Sequence, residues 1–176
     1  MEISGLRIVH KQLEFETTGG KASYFEIRDL CKAFIKEENI EQGIMLVQSQ
    51  HTTCSVFFEE FVHDRDVMGD DYLQFDLNKG LEKIFPKQLA YDDYYKYPGP
   101  IHRGMAMEDK EGEVAKNPSV LLNADAHLKA SLLGSSKEFV IRDGELMIGQ
   151  YGYIYFVDFD SNRPRKRKCN LCIIGQ

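Results

Sequence analysis

Residues 137–149, KEFVIRDGELMIG, hold the turn that decides the fold class. Asp143-Gly144 is a two-residue hairpin signal, because a tight turn of this kind needs positive φ at both central positions and these two residue types tolerate it. Two residues can join only antiparallel neighbours, since parallel strands need a crossover of about a dozen residues. The carboxyl-terminal third therefore reads as three strands: KEFVIRDG (137–144), ELMIGQYGYIYFVDFD (145–160) and KRKCNLCIIG (166–175).

Working back from there, LRIVHKQLEFET (6–17) reads as a first strand, and GIMLVQSQHTTCSVFFEE (43–60) as one long strand or a strand pair. YFEIRDLCKAFIKEEN (24–39) places Phe25, Leu30, Phe34 and Ile35 at helical spacing and reads as an amphipathic helix. DDYLQFDLNKGLEKIFP (70–86) does the same with Leu73, Leu77, Leu81 and Ile84. Asp70 or Asp71 can cap it and Pro86 ends it. NADAHLKASLLGSS (123–136) reads as a short helix closed at Gly134. Residues 86–118, rich in proline and tyrosine, read as a long irregular loop, and loops of that length are usually functional or disordered. No internal repeat or interdomain linker is evident. The expectation is one α+β domain over residues 1–176, with mostly antiparallel sheet layers and two or three helices.

Composition narrows the function classes. Hydrophobic residues make up 43% and charged residues 28%, as in a globular protein with a packed core. The net charge of −6 argues against bulk nucleic-acid or anionic-membrane binding. No apolar run approaches the ~20 residues that span a bilayer, and the amino terminus lacks the pattern of a secretory signal. The expected compartment is the cytoplasm, where Cys31, Cys54, Cys169 and Cys172 are thiols. Cys169 and Cys172 form a lone CxxC without a second ligand pair, inside a period-two pattern that reads as strand.

The polar residues inside apolar segments call for a reason. His51, Thr52 and Thr53 interrupt an otherwise core-like run, and a buried polar group costs a few kcal/mol unless it finds a partner. His102 lies in the Pro- and Gly-flanked PGPIHRG, and His127 near the start of a helix. Three histidines can bind a transition metal with an open position, work as acid, base and anion binder, or be unrelated hydrogen-bonded residues. Spacing alone leaves all three open. His10 and His63 read as surface residues. In NRPRKRK (162–168), Arg165 and Arg167 share one strand face, which suits an anionic ligand, and Lys166 and Lys168 share the other.

Taken together, QHTTCSVFFEE, DDYLQFDLNKGLEKIFP, IHRG, NADAHLKASLLGSS, RDGELMIGQYGYIYFVDFD and RPRKR resemble the YjbQ family, described as secondary thiamine-phosphate synthases. The resemblance covers nearly the whole chain from about residue 5. It implies that His51, His102 and His127 come together in one pocket as metal ligands, with zinc the expected ion and magnesium the alternative. It implies catalytic roles for Glu60 and Asp76, and ligand or phosphate binding by Thr52, Ser136, Arg165 and Arg167. It also implies a homotrimer with the pocket near a subunit interface. The family usually carries Asn-Glu after the HTT strand, where this chain has Glu59-Glu60. It usually has Gly-Thr-Trp-Gln in the late strand, where this chain has Gly149-Gln150-Tyr151-Gly152. The function so implied is an enzyme acting on a small phosphorylated substrate, either as a thiamine-phosphate synthase-like transferase or by metal-assisted phosphate-ester chemistry. The alternative is a trimer that binds a metal or small anion without catalysis.

Overall fold

The computed structural model describes residues 5–176. Two antiparallel sheets form its frame. The larger contains β1 (Arg7–Glu16), β8 (Lys166–Gly175), β3 (Gln42–Ser49), β5 (Ser136–Arg142) and β6 (Glu145–Leu146), in that order. The smaller orders β2 (Ser23–Glu26), β7 (Gly152–Asp158) and β4 (Cys54–Glu60). The inward residues of the larger sheet include Met45, Val47, Phe139, Ile141, Leu171 and Ile173. They meet Val56, Ile154 and Phe156 of the smaller sheet in one apolar cluster, which α1 (Arg28–Glu38) closes with Cys31, Phe34 and Ile35.

The opposite face of the smaller sheet is covered too. Phe57, Tyr155 and Val157 pack with Leu81 of α2 (Tyr72–Ile84) and Ala126 and Ala130 of α5 (Ala124–Leu133). The smaller sheet is thus a middle layer. That explains why YIYFVD, 153–158, reads as a continuous apolar run rather than an alternating one. The larger sheet buries only one face, and its strands alternate accordingly: β8 follows an exposed-or-intermediate and buried alternation along its whole length.

The antiparallel α+β reading holds, with three local differences. Residues 23–26 pair with β7 as a strand instead of starting the helix, because Tyr24 and Phe25 each pack on aromatic partners across the two sheet faces. The Asp143-Gly144 hairpin forms, with φ of 54° and 74°, but β6 is only two residues long. The chain then leaves the larger sheet and re-enters the smaller one as β7, so 145–160 is two strands in different sheets. The segment expected to be irregular contains two short helices, α3 (Pro100–Ala106) and α4 (Glu113–Lys116), and a 3-10 turn at Pro118–Leu121, so the described residues hold five α-helices rather than two or three. Asp71 does stand at the amino-terminal cap of α2, but its carboxylate serves Arg65 and Tyr155 instead of the helix.

Candidate anion-binding site at the seam between the sheets

The chain crosses from one sheet to the other at two corners that lie together. Residues 50–53 lead from β3 to β4, and residues 159–165 lead from β7 to β8. The Phe159 N–H donates to the Thr53 carbonyl at 3.0 Å, which ties the corners to each other. The first corner is a tight turn: the His51 N–H donates to Ser49 Oγ at 3.0 Å, and the Cys54 N–H to the His51 carbonyl at 3.2 Å. The second is held by Thr17, whose N–H donates to the Arg165 carbonyl at 2.8 Å and whose hydroxyl accepts from the Arg165 N–H at 2.9 Å. Gly19, at φ 73°, lies against it. A Cβ there would stand 3.0 Å from the Arg163 carbonyl carbon.

Between the corners and the start of α5 is a cavity of about 320 Å³. From the first corner it is lined by Gln50, His51, Thr52 and Thr53. Asp160, Arg163, Arg165 and Arg167 line it from the second, and Asn123, His127 and Tyr97 from the helical side. Asp158, fully buried, organises the floor. Its carboxylate accepts from Arg167 Nε at 2.6 Å, Thr53 Oγ1 at 2.8 Å and the Asp160 N–H at 3.0 Å. Asp160, also buried, accepts from Asn123 Nδ2 at 3.2 Å, Arg165 Nη2 at 3.4 Å and the Asn162 N–H at 3.1 Å.

His51 answers the question raised by a histidine in an apolar run. The β3–β8 ladder ends at the Ser49–Cys169 pair, and the next N–H of β8, that of Lys168, donates to His51 Nε2 at 2.9 Å. The side chain thus takes the place of one more ladder carbonyl. An acceptor at Nε2 is a neutral imidazole with its proton on Nδ1. Burial holds its pKa below the usual histidine value, and Arg167, Arg165 and Lys168 add to this while Asp158 opposes it. Burial likewise lowers the pKa of His127, against opposing effects of the Thr52 backbone and Asp160; His102 adds to the lowering.

His102 lies on α3, is exposed, and does not line the cavity. Tyr97 stands between it and His127, with ring centroids 5.3 Å and 5.4 Å from the two imidazoles. The hydroxyl of Tyr97 is 3.5 Å from His102 Nε2. The other expected residues divide. Thr52, Arg165 and Arg167 line the cavity with His51 and His127. Glu60 ends β4 six residues beyond Cys54, roughly 20 Å away along an extended strand, and lines a different cavity. Asp76 is exposed on α2. Ser136 pairs with Gln48 on the uncovered face of the larger sheet, while the adjacent Ser135 lines a cavity that His51 also touches. His10 and His63 are exposed on β1 and in the 61–71 loop. Cys169 points into the core and Cys172 away from it, so the CxxC pair cannot share a ligand.

A zinc or magnesium centre on the three histidines would need His102 brought to the cavity that His51 and His127 line. Among the described residues no three His, Cys, Asp or Glu side chains are grouped to hold a metal ion. A metal on Nδ1 of His51 would move the proton to Nε2, directly against the Lys168 N–H. What the site does offer is unused polar atoms. Asn123 Oδ1, Arg163 Nη1 and Arg165 Nε are buried and have no hydrogen-bond partner in the protein, whereas Arg163 Nε is ion-paired with Glu113 at 2.8 Å. The three unpartnered atoms belong to residues of this one cavity. The orientation of the Asn123 amide is set by Asp160, whose carboxylate requires the NH2 group, so the oxygen is the atom left over.

Four of these residues were not legible as site residues: Asp158, Asp160, Arg163 and Asn123. The aspartates of FVDFD were the available signal, since two carboxylates ending an apolar strand require cationic partners nearby.

Comparison with known proteins places the chain in a family. The family described as UPF0047 protein YjbQ-like matches residues 11–176. The UPF0047 protein YugU of Bacillus subtilis is 28% identical over 165 residues, covering 94% of this chain and 98% of that protein. The UPF0047 protein MJ1081 of Methanocaldococcus jannaschii is 27% identical over 158 residues, covering 90% and 89%. A crystal structure of an uncharacterized YjbQ/UPF0047 protein from Clostridium acetobutylicum superposes with a TM-score of 0.64 at 26% identity, covering 92% of this chain and 99% of that one. A YbjQ-like protein of unknown function from Sulfolobus solfataricus shares the fold, with a TM-score of 0.66 at 19% identity over 97% and 100% of the chains. The chain belongs to the YjbQ-like UPF0047 family.

Proposed function

We propose that the chain is an enzyme that binds a small phosphorylated molecule in the seam cavity and acts on it with its two neutral histidines. The observation that carries this reading is the set of orphaned polar atoms: two arginine nitrogens, Arg163 Nη1 and Arg165 Nε, and one amide oxygen, all buried and all in cavity residues. Each buried donor or acceptor left unpaired costs about 1–3 kcal/mol. An oxyanion across Arg163 and Arg165 would remove that cost with charge-assisted bonds. Asn123 Oδ1 would then accept from a hydroxyl or amine of the same ligand. The volume of about 320 Å³ sits at the small end for ligand pockets, so the ligand is a compact one.

Within this reading Arg165 and Arg163 bind the phosphoryl oxygens. Arg167, committed to Asp158, supplies fixed positive charge from behind. His51 offers its Nδ1 proton, because Nε2 is engaged by the backbone. His127, kept neutral by burial, accepts one. The transfer chemistry implied by the family resemblance, in which pyrophosphate leaves, would draw on the same donors to stabilise the leaving group. A second reading, binding without turnover, shares every feature except the proton transfer.

Self-association is proposed on a separate observation, with the count of three taken from the family resemblance. Across the uncovered face of the larger sheet run Ile8, Ile174, Ile44, Val140 and Met147, one residue per strand or strand end, in mutual register and each 46–63% exposed. A contiguous apolar row of this kind is the surface that self-association would cover.

The test is a panel of small phosphate and pyrophosphate esters followed by phosphate release, with native protein and His127→Ala. Turnover that the variant loses while still binding inorganic phosphate supports the enzyme. Saturable binding without turnover of any ester supports the second reading, and no binding rejects both.

A further inference from the structure

His51 and Thr52 line two cavities. One is the arginine-rich seam cavity; the other, of about 380 Å³, lies between the same two residues and Cys54, Ala130, Ser131, Gly134 and Ser135. The two differ sharply in chemistry. The first carries three arginines and an aspartate. The second has no charged side chain on its wall and offers the hydroxyls of Ser131 and Ser135 over an alanine and glycine floor. Its one thiol is not a nucleophile: burial, then Asp158, push the pKa of Cys54 far up and keep it protonated. Ser55, behind the wall, has its hydroxyl tied to the Ala130 carbonyl at 3.1 Å, so the wall facing the cavity is fixed by α5.

We propose that the two cavities are two chambers of one site and that the ligand straddles the His51–Thr52 wall. On this assignment the ligand is a phosphomonoester, or pyrophosphate ester, of a small uncharged group that carries hydroxyls or a ring. The phosphoryl end lies among Arg163 and Arg165, and the neutral end lies against Ser131 and Ser135. His51 then stands beside the ester linkage, the one place where a proton donor serves bond cleavage. The inference rests on the anion-binding reading above and adds the class of the organic half and the residues that select it. A charged organic group is disfavoured there, because the second chamber has no partner to offset its desolvation.

Filling the second chamber should therefore cost affinity for esters and not for phosphate as such. The experiment is calorimetric titration with inorganic phosphate, glycerol phosphate and phenyl phosphate, using native protein, Ser131→Phe, Ser135→Phe and Arg165→Ala, each checked for folding by circular dichroism. Inorganic phosphate reaches only the first chamber and is the reference within each variant. The native protein should bind at least one ester at least tenfold more tightly than inorganic phosphate. That ratio should fall towards one in each phenylalanine variant that folds. Arg165→Ala should weaken ester and phosphate binding together. An ester-to-phosphate ratio near one in the native protein, or a ratio that both folded phenylalanine variants keep, overturns the two-chamber assignment and leaves the anion site standing. Native protein that binds none of the three probes overturns the anion-binding reading and the assignment with it.

Discussion

The two ends of β4 carry opposite surpluses. At the Cys54 end, around His51 and Thr53, the surplus is basic: Arg165 and Arg167 meet the two buried aspartates, Arg163 pairs with Glu113, and two guanidinium nitrogens, Arg163 Nη1 and Arg165 Nε, have no partner. At the Glu60 end the surplus is acidic. Glu59 lines an open cavity with Phe58, Gly149, Gln150 and Tyr151, and burial, then Asp71, push its pKa up to about 7. One strand thus presents a cavity with unpartnered buried donors at one end and a carboxylate that is uncomfortable when charged at the other. The difference separates a place where a ligand would complete the hydrogen bonding from one where protonation alone relieves the strain.

The largest effect should come from the buried pair at the donor-rich end. Asp158→Ala leaves Arg167 buried at 6% exposure without its carboxylate and should destabilise the fold by about 3–5 kcal/mol. Glu60→Ala, at an exposed site on the same strand, should stay within about 0.5 kcal/mol. Urea denaturation of both measures the contrast directly.

Next is the apolar row. Val140→Asp places a charge at the centre of the uncovered face and should convert a trimer into monomers in light scattering while leaving circular dichroism unchanged. A native protein that is already monomeric at micromolar concentration would remove the basis of this prediction and of the trimer.

Smaller effects follow pH, and the two ends of β4 have opposite signs. His51 and His127 have folded-state pKa values below their unfolded ones. Their neutral forms support folding above about pH 6.5, and that support is lost as pH falls below it. A bound anion favours the charged form of His127 and so opposes this trend there, whereas His51 keeps Nε2 as the acceptor of the Lys168 N–H. Glu59 has a raised folded pKa of about 7. Its contribution is present at low pH and lost as pH rises through about 7. Glu59→Gln should therefore raise the melting temperature by a few degrees at pH 8 and leave it nearly unchanged at about pH 4.5. Equal shifts at both pH values would show that Glu59 is solvated and unstrained.

The antiparallel frame was legible because local signals settle it: the Asp143-Gly144 turn, period-two alternation in β8, and helical spacing in α2. The break inside 145–160 was not, since Ile148, Tyr153 and Tyr155 continue an apolar pattern while the chain changes sheets. Hydrophobic pattern records burial, and both segments are buried. The site shows the same limit. His51 stood out because a polar residue inside a core strand needs a partner, Arg165 and Arg167 because they share one strand face, and His127 through the family resemblance. Which partners they find depends on two corners meeting at Thr53 and Phe159, 106 residues apart in sequence, and no local pattern encodes that meeting. His102 was chosen by the same family pattern as His51, yet it stands behind Tyr97 and outside the cavity wall.

The central claim is that the seam cavity is an anion site. The measurement that tests it most directly is calorimetric titration with inorganic phosphate near neutral pH and low ionic strength, run on native protein and Arg165→Ala. Arg165 is the suitable probe because it is partly exposed, holds Asp160 only at 3.4 Å, and keeps its Nε unpaired, so its loss should not unfold the chain. The account predicts saturable binding at one site per chain that weakens as salt is added, and at least tenfold weaker binding in the variant, which corresponds to about 1.4 kcal/mol. Absence of saturable binding, or equal affinity in native protein and variant, would contradict it.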